Sequence, residues 1–307
     1  MTNAYLNALV DSVDKKKIPK EFDVIIGGGA LNGFYGIGIV LYIRRLCKNK
    51  GIHIQRVSGT SIGSLLAAAL LSNNMETAMN IDADFYSIQE GLRAGKRLEN
   101  SRQLIRENII RLYPENKYPE PETLFITYWD NTQGKVITKS KYSSTEEVID
   151  TILRSSHIPF ISNNEARYQE RYSDGVFPFM FTDKSRQTLY ISLASPNKRM
   201  RAIMIRENNS IHRVMSGILD ASTFFVEGKS DMCSWIDKWS AYDCICFSTG
   251  GIIRHIIYLF LELGINLYSI IPNNVKQSST FQGIVHAITF LLDESFYRVT
   301  QGQRSLD

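Results

Sequence analysis

The amino-acid sequence predicts an α/β protein with parallel strands, and three observations near its N-terminus support that prediction. A short apolar run at residues 22–26 predicts a buried strand that ends abruptly in three glycines. Residues 52–57 alternate apolar with polar side chains, as a second strand would. An apolar helical segment follows each strand, and the order strand–helix–strand–helix is typical of a parallel pair joined by a right-handed crossover.

Further elements are predicted from the spacing of apolar residues. They are helices at residues 33–48, 64–71, 75–113 and 144–156, and strands at residues 124–129, 136–139 and 189–193. The strands around residue 130 flank a polar turn and predict a hairpin. Ser144 is the expected N-cap of the helix that follows it. From residue 211 onward the pattern is mainly helical, with no internal repeat.

Length and composition indicate a globular protein with one large domain or two small ones. The chain has 307 residues, of which 44% are hydrophobic and 21% charged, so it can bury a large core. No segment has the composition of a linker. We therefore expect one α/β core at residues 21–200, preceded by a polar leader at 1–20. A mainly helical part at 201–307 is expected to pack on the same domain.

Charge and cysteine content argue against several classes of protein. A net charge of +4 is small for a dedicated nucleic-acid binder. The four cysteines form no CxxC pair and have no histidine at metal-ligand spacing, so neither a metal site nor a cofactor is predicted. Cys244 and Cys246 alternate within an apolar run, which favours a buried strand. Without a disulfide framework, a cytoplasmic or other intracellular compartment is favoured.

Membrane-spanning segments are not expected. The N-terminus lacks the apolar core of a signal peptide. Residues 252–271 are apolar but contain Arg254 and Glu262, and each charge costs roughly 2.5–3.5 kcal/mol at a bilayer centre. This stretch and the arginine-rich residues 93–111 are candidates for peripheral membrane contact. A core helix and a solvated helix face are the alternative interpretations.

The segment Gly59-Thr60-Ser61-Ile62-Gly63 matches the GxSxG nucleophile elbow. A serine at a tight strand-to-helix turn projects its hydroxyl away from the sheet, and flanking glycines remove β-carbons that the turn would force into contact. The pentapeptide also arises by chance, and a capping serine at a helix start is then the alternative. Its position between a strand and an apolar helix favours Ser61 as a nucleophile.

A glycine-rich turn at residues 27–33 lies one crossover upstream of the elbow. Small residues let the main chain approach a ligand, and successive amides at a helix start bind anions. The dinucleotide fingerprint GxGxxG fails here, because glycine would be needed at Asn32 or Ala30, and no GK[ST] follows. A donor loop for an acyl oxyanion explains both glycine-containing turns together, whereas a nucleotide site explains only one.

Asp174 lies in Tyr172-Ser173-Asp174-Gly175-Val176, 113 positions after Ser61. An isolated Asp-Gly pair usually forms a turn. The residues from about Asp23 to Pro196, however, resemble the patatin-like phospholipase family in their order of strand, glycine-rich loop, GxSxG elbow and Asp-Gly motif. Three other segments are similar to that family: Tyr35-Gly-Ile-Gly38, Trp129-Asp130 with Gly134, and Ser155-Ser-His-Ile-Pro159.

The resemblance implies a three-layer α/β/α fold with a mostly parallel central sheet. It implies a lipid acyl hydrolase, of the phospholipase A or lysophospholipase type, that acts on phospholipids or other acyl lipids through a Ser61–Asp174 dyad. Asp174 is the expected base, and the amides of Gly28, Gly29 and Ala30 are expected to hold the oxyanion. The supporting motif glycines are Gly27, Gly33, Gly59, Gly63 and Gly175. The chain departs from the family pattern at Ala30, Asn32 and Val176.

Other functions stay open at the level of sequence. A Ser–His–Asp triad would need His212, His255 or His286, which follow Asp174 in the chain, and His157 lies close to Asp174 in sequence. A general carboxylesterase or neutral lipase would share the dyad and differ in its acyl pocket. A catalytically inactive lipid-binding protein is the alternative from another class.

Overall fold

The computed structural model of the chain describes residues 3–29, 32–74, 101–157, 165, 167–183, 185–194 and 210–283. Its helices are α1 (Asn3–Asp11), α2 (Gly33–Lys50), α3 (Ile62–Leu71), α4 (Ser101–Leu112), α5 (Thr145–Ser155), α6 (Ser210–Glu227), α7 (Ala241–Ile270) and α8 (Asn273–Lys276). Its strands are β1 (Glu21–Ile26), β2 (His53–Thr60), β3 (Leu124–Asp130), β4 (Lys135–Lys139), β5 (Tyr172–Asp174), β6 (Thr188–Ile191) and β7 (Cys233–Trp235).

The strands form one sheet in the order β4-β3-β2-β1-β6-β7, with β5 paired to β3. The four central strands, β3, β2, β1 and β6, are parallel, and β4, β5 and β7 are antiparallel to their neighbours. This mixed α/β architecture confirms the predicted fold class and is consistent with the three-layer α/β/α arrangement. The predicted hairpin is confirmed as β3 and β4, and Ser144 caps α5 by accepting a hydrogen bond from the amide of Glu147.

Helices α1 and α6 both contribute to the core around this sheet. Leu6, Val10 and Val13, in and just after α1, are at most 4% exposed and pack in the same apolar cluster as β1 and α2. Helix α6 crosses α2 closely, because glycines lie at the contact. A β-carbon on Gly38 would lie 2.0 Å from the carbonyl oxygen of Val214, and one on Gly217 would lie 2.1 Å from that of Tyr35.

The chain divides into two compact units, Met1–Arg254 and His255–Asp307. The first contains every strand of the sheet, including β7, which follows residue 200. The boundaries near residues 20 and 200 stay a prediction. In the described part of the chain, no helix combines the length and apolarity needed to cross a membrane.

The expected buried strand around Cys244 and Cys246 is wrong. Both cysteines are exposed and lie in the first turns of α7. Ser240 and Asp243 form a capping box at this helix start: the amide of Ser240 donates to the Asp243 carboxylate, and the amide of Asp243 donates to the Ser240 hydroxyl. Alternation over five residues does not distinguish a strand from one turn of helix, whereas the capping residues favour the helix.

An ion pair secures the end of β3 where β5 joins it. The guanidinium of Arg171 donates to both carboxylate oxygens of Asp130, with the shortest distance 2.6 Å, and the Asp130 side chain is only 3% exposed. The same carboxylate accepts the amides of Thr132 and Gln133 in the hairpin turn. The Arg171 hydrogen bonds lower the pKa of Asp130 to about 2.

The crossing of α2 and α6 predicts a steric penalty for Gly217→Ala. The new methyl group would meet the main chain of Tyr35, which cannot rotate away, so the free energy of unfolding should fall by about 1–3 kcal/mol. Urea unfolding followed by circular dichroism measures the change. Gly250→Ala is the matched control, because nothing lies within 4 Å of its position on α7 and alanine favours helix. Equal stabilities for the two variants would contradict the packing described.

The lowered pKa of Asp130 predicts a specific pH dependence. Its folded pKa lies below the ordinary value of about 3.9, so the pair stabilises the fold above about pH 4, and that contribution is lost as the pH falls towards about 2. The stability difference between the wild type and Asp130→Asn should therefore be largest near neutral pH and shrink on acidification. Urea unfolding at a series of pH values tests this.

Glu146→Gln is the control for the acid series. Glu146 pairs with Arg106, and both side chains are at least half exposed, so this variant should behave like the wild type at every pH. A stability loss in Asp130→Asn that is constant from neutral to acid pH would be inconsistent with the proposed linkage.

Candidate active site

Ser61 occupies a strained turn between β2 and α3. Its backbone has φ 55° and ψ −135°, a region that costs a non-glycine residue about 1–3 kcal/mol. The flanking glycines are required sterically, because a β-carbon on Gly59 would lie 2.4 Å from the carbonyl oxygen of Gly63. One on Gly63 would lie 2.6 Å from that of Ile26. Ser61 therefore has the backbone geometry that a nucleophile elbow needs.

The glycine-rich turn lies directly beside Ser61. A β-carbon on Gly28 would lie 3.2 Å from the β-carbon of Ser61. The amide of Gly27 donates to the carbonyl oxygen of Ile191 and so extends the pairing of β1 with β6. Within the described residues, no hydrogen bond occupies the amides of Gly28 and Gly29. The turn beside Ser61 thus contains two main-chain amides without a hydrogen bond to the described residues.

The turn is held in place by contacts that sequence analysis did not anticipate. The Asn32 side-chain amide, which is buried, donates to the carbonyl oxygen of Leu193 at 2.7 Å. Gly29 packs against the same residue, since a β-carbon there would lie 2.3 Å from that of Leu193. Asn32 was identified only as a departure from the family pattern. Its role depends on a residue 161 positions away, so no local signal in the sequence reveals it.

Asp174 is the last residue of β5 and is 6% exposed, as is Ser61. Its amide donates to the carbonyl oxygen of His157 at 3.1 Å, and its carboxylate accepts the amide of Val176 at 3.1 Å. Gly175 packs tightly on β3, because a β-carbon there would lie 2.2 Å from the carbonyl oxygen of Thr127. Val176 has φ 49°, which is unusual for a β-branched residue.

Strand β3 brings the two turns together. Thr60, which precedes Ser61, pairs with Thr127, and Asp174 pairs with Tyr128, the next residue of β3. Since β4 occupies the other edge of β3 at these positions, β2 and β5 meet end to end on the same side. Neighbouring positions along a strand are about 3.3 Å apart. Thr60, the residue before the predicted nucleophile, and Asp174, the predicted base, therefore lie at adjacent positions along β3.

Ser155, the last residue of α5, connects these parts. It is fully buried, its hydroxyl donates to the carbonyl oxygen of Thr127 at 2.6 Å, and it accepts the amide of Ser61 at 2.9 Å. Sequence analysis placed Ser155 in a family-like segment but gave it no role. The family-like segment was the only signal in the sequence that could have drawn attention to Ser155. Its role depends on contacts with Ser61 and Thr127, which are distant in the chain.

A cluster of aromatic residues includes Phe177, which lies three positions after Asp174 in the chain. Phe177 packs against Phe247 and directly on Gly251 of α7. Phe247 also contacts Tyr190 and Trp239, with ring centroids 5.4 Å apart in both pairs. The hydroxyl of Tyr190 lies close to Gly27. These contacts form one aromatic cluster that extends from Phe177 to the start of the glycine-rich turn.

The other predicted functional residues are distributed as follows. Gly33 begins α2 against Ile62, and His212 is exposed on α6. Arg102 and Arg106 form ion pairs with Glu165 and Glu146. Ala30, Arg93, Lys96, Arg97, His286 and the side chain of His255 lie outside the described residues. Among the described residues, no cluster of three or more histidines, cysteines and carboxylates is arranged to hold a metal ion.

Comparison with known proteins agrees with this architecture. The model of the family described as patatin-like phospholipase matches residues 24–181, slightly more than half of the chain. No curated protein matches the chain at a significant level. The matched region contains the glycine-rich turn, the Ser61 elbow and Asp174, and the family description suggests lipid acyl hydrolase activity on acyl-lipid substrates. The chain belongs to the patatin-like phospholipase family.

Proposed function

We propose that this protein hydrolyses fatty-acyl esters of lipids, with Ser61 as nucleophile and Asp174 as base. The observation that carries the proposal is the register of β3, which aligns Thr60 and Asp174 with consecutive residues. The strained backbone of Ser61 and the unoccupied amides beside it support the same assignment. A helix N-terminal turn that merely caps α3 would need none of these features, and the Ser61 side chain makes no capping hydrogen bond.

The reaction proceeds in two steps. In the first, the Ser61 hydroxyl attacks the ester carbonyl while its proton passes to the Asp174 carboxylate. The tetrahedral intermediate collapses, the C–O bond to the alcohol breaks, and Asp174 returns the proton to the leaving oxygen. In the second, water adds to the acyl-enzyme and gives its proton to Asp174. Release of the fatty acid then returns a proton to the Ser61 oxygen.

The oxyanion of each intermediate is assigned to the glycine-rich turn. The amides of Gly28 and Gly29 are the donors for which the geometry argues, and Ala30 is the third expected donor. An aspartate with an ordinary pKa of about 3.9 is a weak base at neutral pH, so the donors must supply much of the rate enhancement. Loss of one such donor typically costs about 2.7–4 kcal/mol.

Ser61→Ala and Asp174→Asn are each expected to lower kcat by at least about a thousandfold, because both groups take part in bond making. Hydrolysis of a fluorogenic fatty-acyl ester and labelling by a fluorophosphonate probe measure the loss. Ser72→Ala is the matched control. Ser72 follows the other end of α3 and donates to the carbonyl oxygen of Leu112, so its loss should leave kcat within about twofold.

Two outcomes would contradict the dyad. Retained labelling in Ser61→Ala would exclude Ser61 as the nucleophile. Loss of hydrolysis on replacing His212, His255 or His286 alone by alanine would favour a triad instead. Analysis of the products from a mixed phospholipid pool then separates a phospholipase from a general esterase.

We further propose that the first half of α7 contacts the lipid surface. Phe247 and Gly251 contact Phe177, while Tyr242, Ile245 and Ile252 lie on the opposite side of the helix and are 58–73% exposed. An exposed apolar stripe of this kind inserts into the headgroup boundary. The described arginines are a weaker candidate, because Arg102 and Arg106 are already paired with carboxylates.

Replacing Ile245 and Ile252 together by aspartate should weaken vesicle binding at least about tenfold, because two side chains that would be buried in lipid are lost. Co-sedimentation with phosphatidylcholine vesicles measures the partition coefficient. Val136→Asp is the control, since Val136 is an exposed apolar residue on the edge strand β4. Binding by insertion should change little with salt. Binding that disappears at high salt and survives the double substitution would contradict the proposal.

A further inference from the structure

The end of α5 contacts both halves of the proposed dyad. The Ser155 hydroxyl accepts the amide of Ser61 at 2.9 Å, and two residues later the carbonyl oxygen of His157 accepts the amide of Asp174 at 3.1 Å. All four residues are at most 6% exposed. A single helix end therefore fixes the main chain of the serine and the main chain of the aspartate relative to each other.

The Ser155 hydroxyl is oriented by a second bond. A hydroxyl has one proton, and here it is donated to the carbonyl oxygen of Thr127 at 2.6 Å. The remaining lone pairs of the Ser155 oxygen point away from Thr127, and one of them accepts the Ser61 amide. Thr127 is also the β3 residue that pairs with Thr60, and its own hydroxyl donates to the carbonyl oxygen of Phe177 at 2.6 Å. The Ser155 side chain is thus anchored to the strand that aligns the site.

Ser61 needs such anchoring because its backbone is strained. A residue in this conformation persists only where its surroundings over-determine it. The carbonyl oxygen of Ser61 accepts both the amide and the hydroxyl of Ser64, at 2.9 and 2.6 Å. Ser155 holds the amide on the other side. Both the main-chain amide and the main-chain carbonyl group of Ser61 are therefore held by hydrogen bonds.

We infer that Ser155 is a positioning residue that keeps Ser61 in its reactive conformation and withholds the Ser61 amide from the oxyanion hole. The inference rests on the proposed role of Ser61. Its chemical consequence is that the Ser61 amide is not one of the oxyanion donors, a role that the proposed function gives to the glycine-rich turn. A purely structural role, in which Ser155 only ties α5 to the sheet, predicts a loss of stability without a selective loss of kcat.

Ser155→Ala tests the inference, since it keeps the β-carbon and removes only the hydroxyl. We expect kcat to fall roughly 10- to 100-fold with KM within about twofold, because the nucleophile is displaced while the substrate surface is unchanged. The rate of fluorophosphonate labelling of Ser61 should fall in parallel. Ser155→Thr, which retains the hydroxyl oxygen, should recover most of both rates.

Ser156→Ala is the matched control. The Ser156 hydroxyl donates to the carbonyl oxygen of Ile152 within the same helix end, at 2.8 Å, whereas the Ser61 amide is accepted by Ser155. This variant should keep kcat within about twofold. If Ser155→Ala does not fold, Ser155→Cys replaces it, because the thiol preserves the shape and is a weak hydrogen-bonding group.

The outcomes separate this inference from the proposed function. A wild-type protein that is labelled at Ser61, together with a folded Ser155→Ala or Ser155→Cys variant of unchanged kcat and labelling rate, would overturn the positioning role alone. A folded Ser155→Thr variant no more active than Ser155→Ala would do the same. A wild-type protein whose Ser61 is not labelled and whose hydrolysis survives Ser61→Ala would overturn both.

Discussion

Strand β3 pairs with β2 through Thr127 and with β5 from Tyr128 onward, so two strands that are distant in sequence end against each other on one edge. The pairing register of a strand is specified to a single residue. A slip of one strand by one position would turn all its side chains to the other face of the sheet. The Ser61–Asp174 dyad that we propose depends on this register, which aligns Thr60 and Asp174 with consecutive residues of β3. The Asp130–Arg171 ion pair secures the same junction at its outer end.

Near this junction, residues with a strained backbone are surrounded by tightly packed main chain. Ser61 and Val176 both have positive φ, and each lies where the chain leaves a strand end. The tight packing of Gly59, Gly63 and Gly175 on neighbouring main chain leaves these turns little freedom to relax. Such preorganisation would suit the Ser61–Asp174 dyad that we propose, because the reacting groups would need no rearrangement when charge develops.

Sequence analysis predicted those parts of the site that depend on local signals. The elbow at Ser61 and the glycine-rich turn are each coded within a few residues, and the capped helix after Ser144 is another local signal that the structure confirms. It could not predict the end-to-end meeting of β2 and β5, because that depends on strand pairing between distant segments. The roles of Asn32 and Ser155 were also missed, because their partners lie 161 and 94 positions away, respectively. The helix at Cys244 was mispredicted although its capping residues were visible in the sequence.

The position of β6 has a practical consequence for dissecting the protein. The family match ends at residue 181, yet β6 lies beside β1 near the middle of the sheet, and α1 and α6 cover its core from outside that range. A fragment trimmed to the matched residues would leave the hydrogen-bonding edge of β1 bare and strip apolar surface from α2. Exposed edges of this kind promote self-association. Soluble expression should accordingly need the chain from α1 through β7, whatever the extent of the family's own sequence signature.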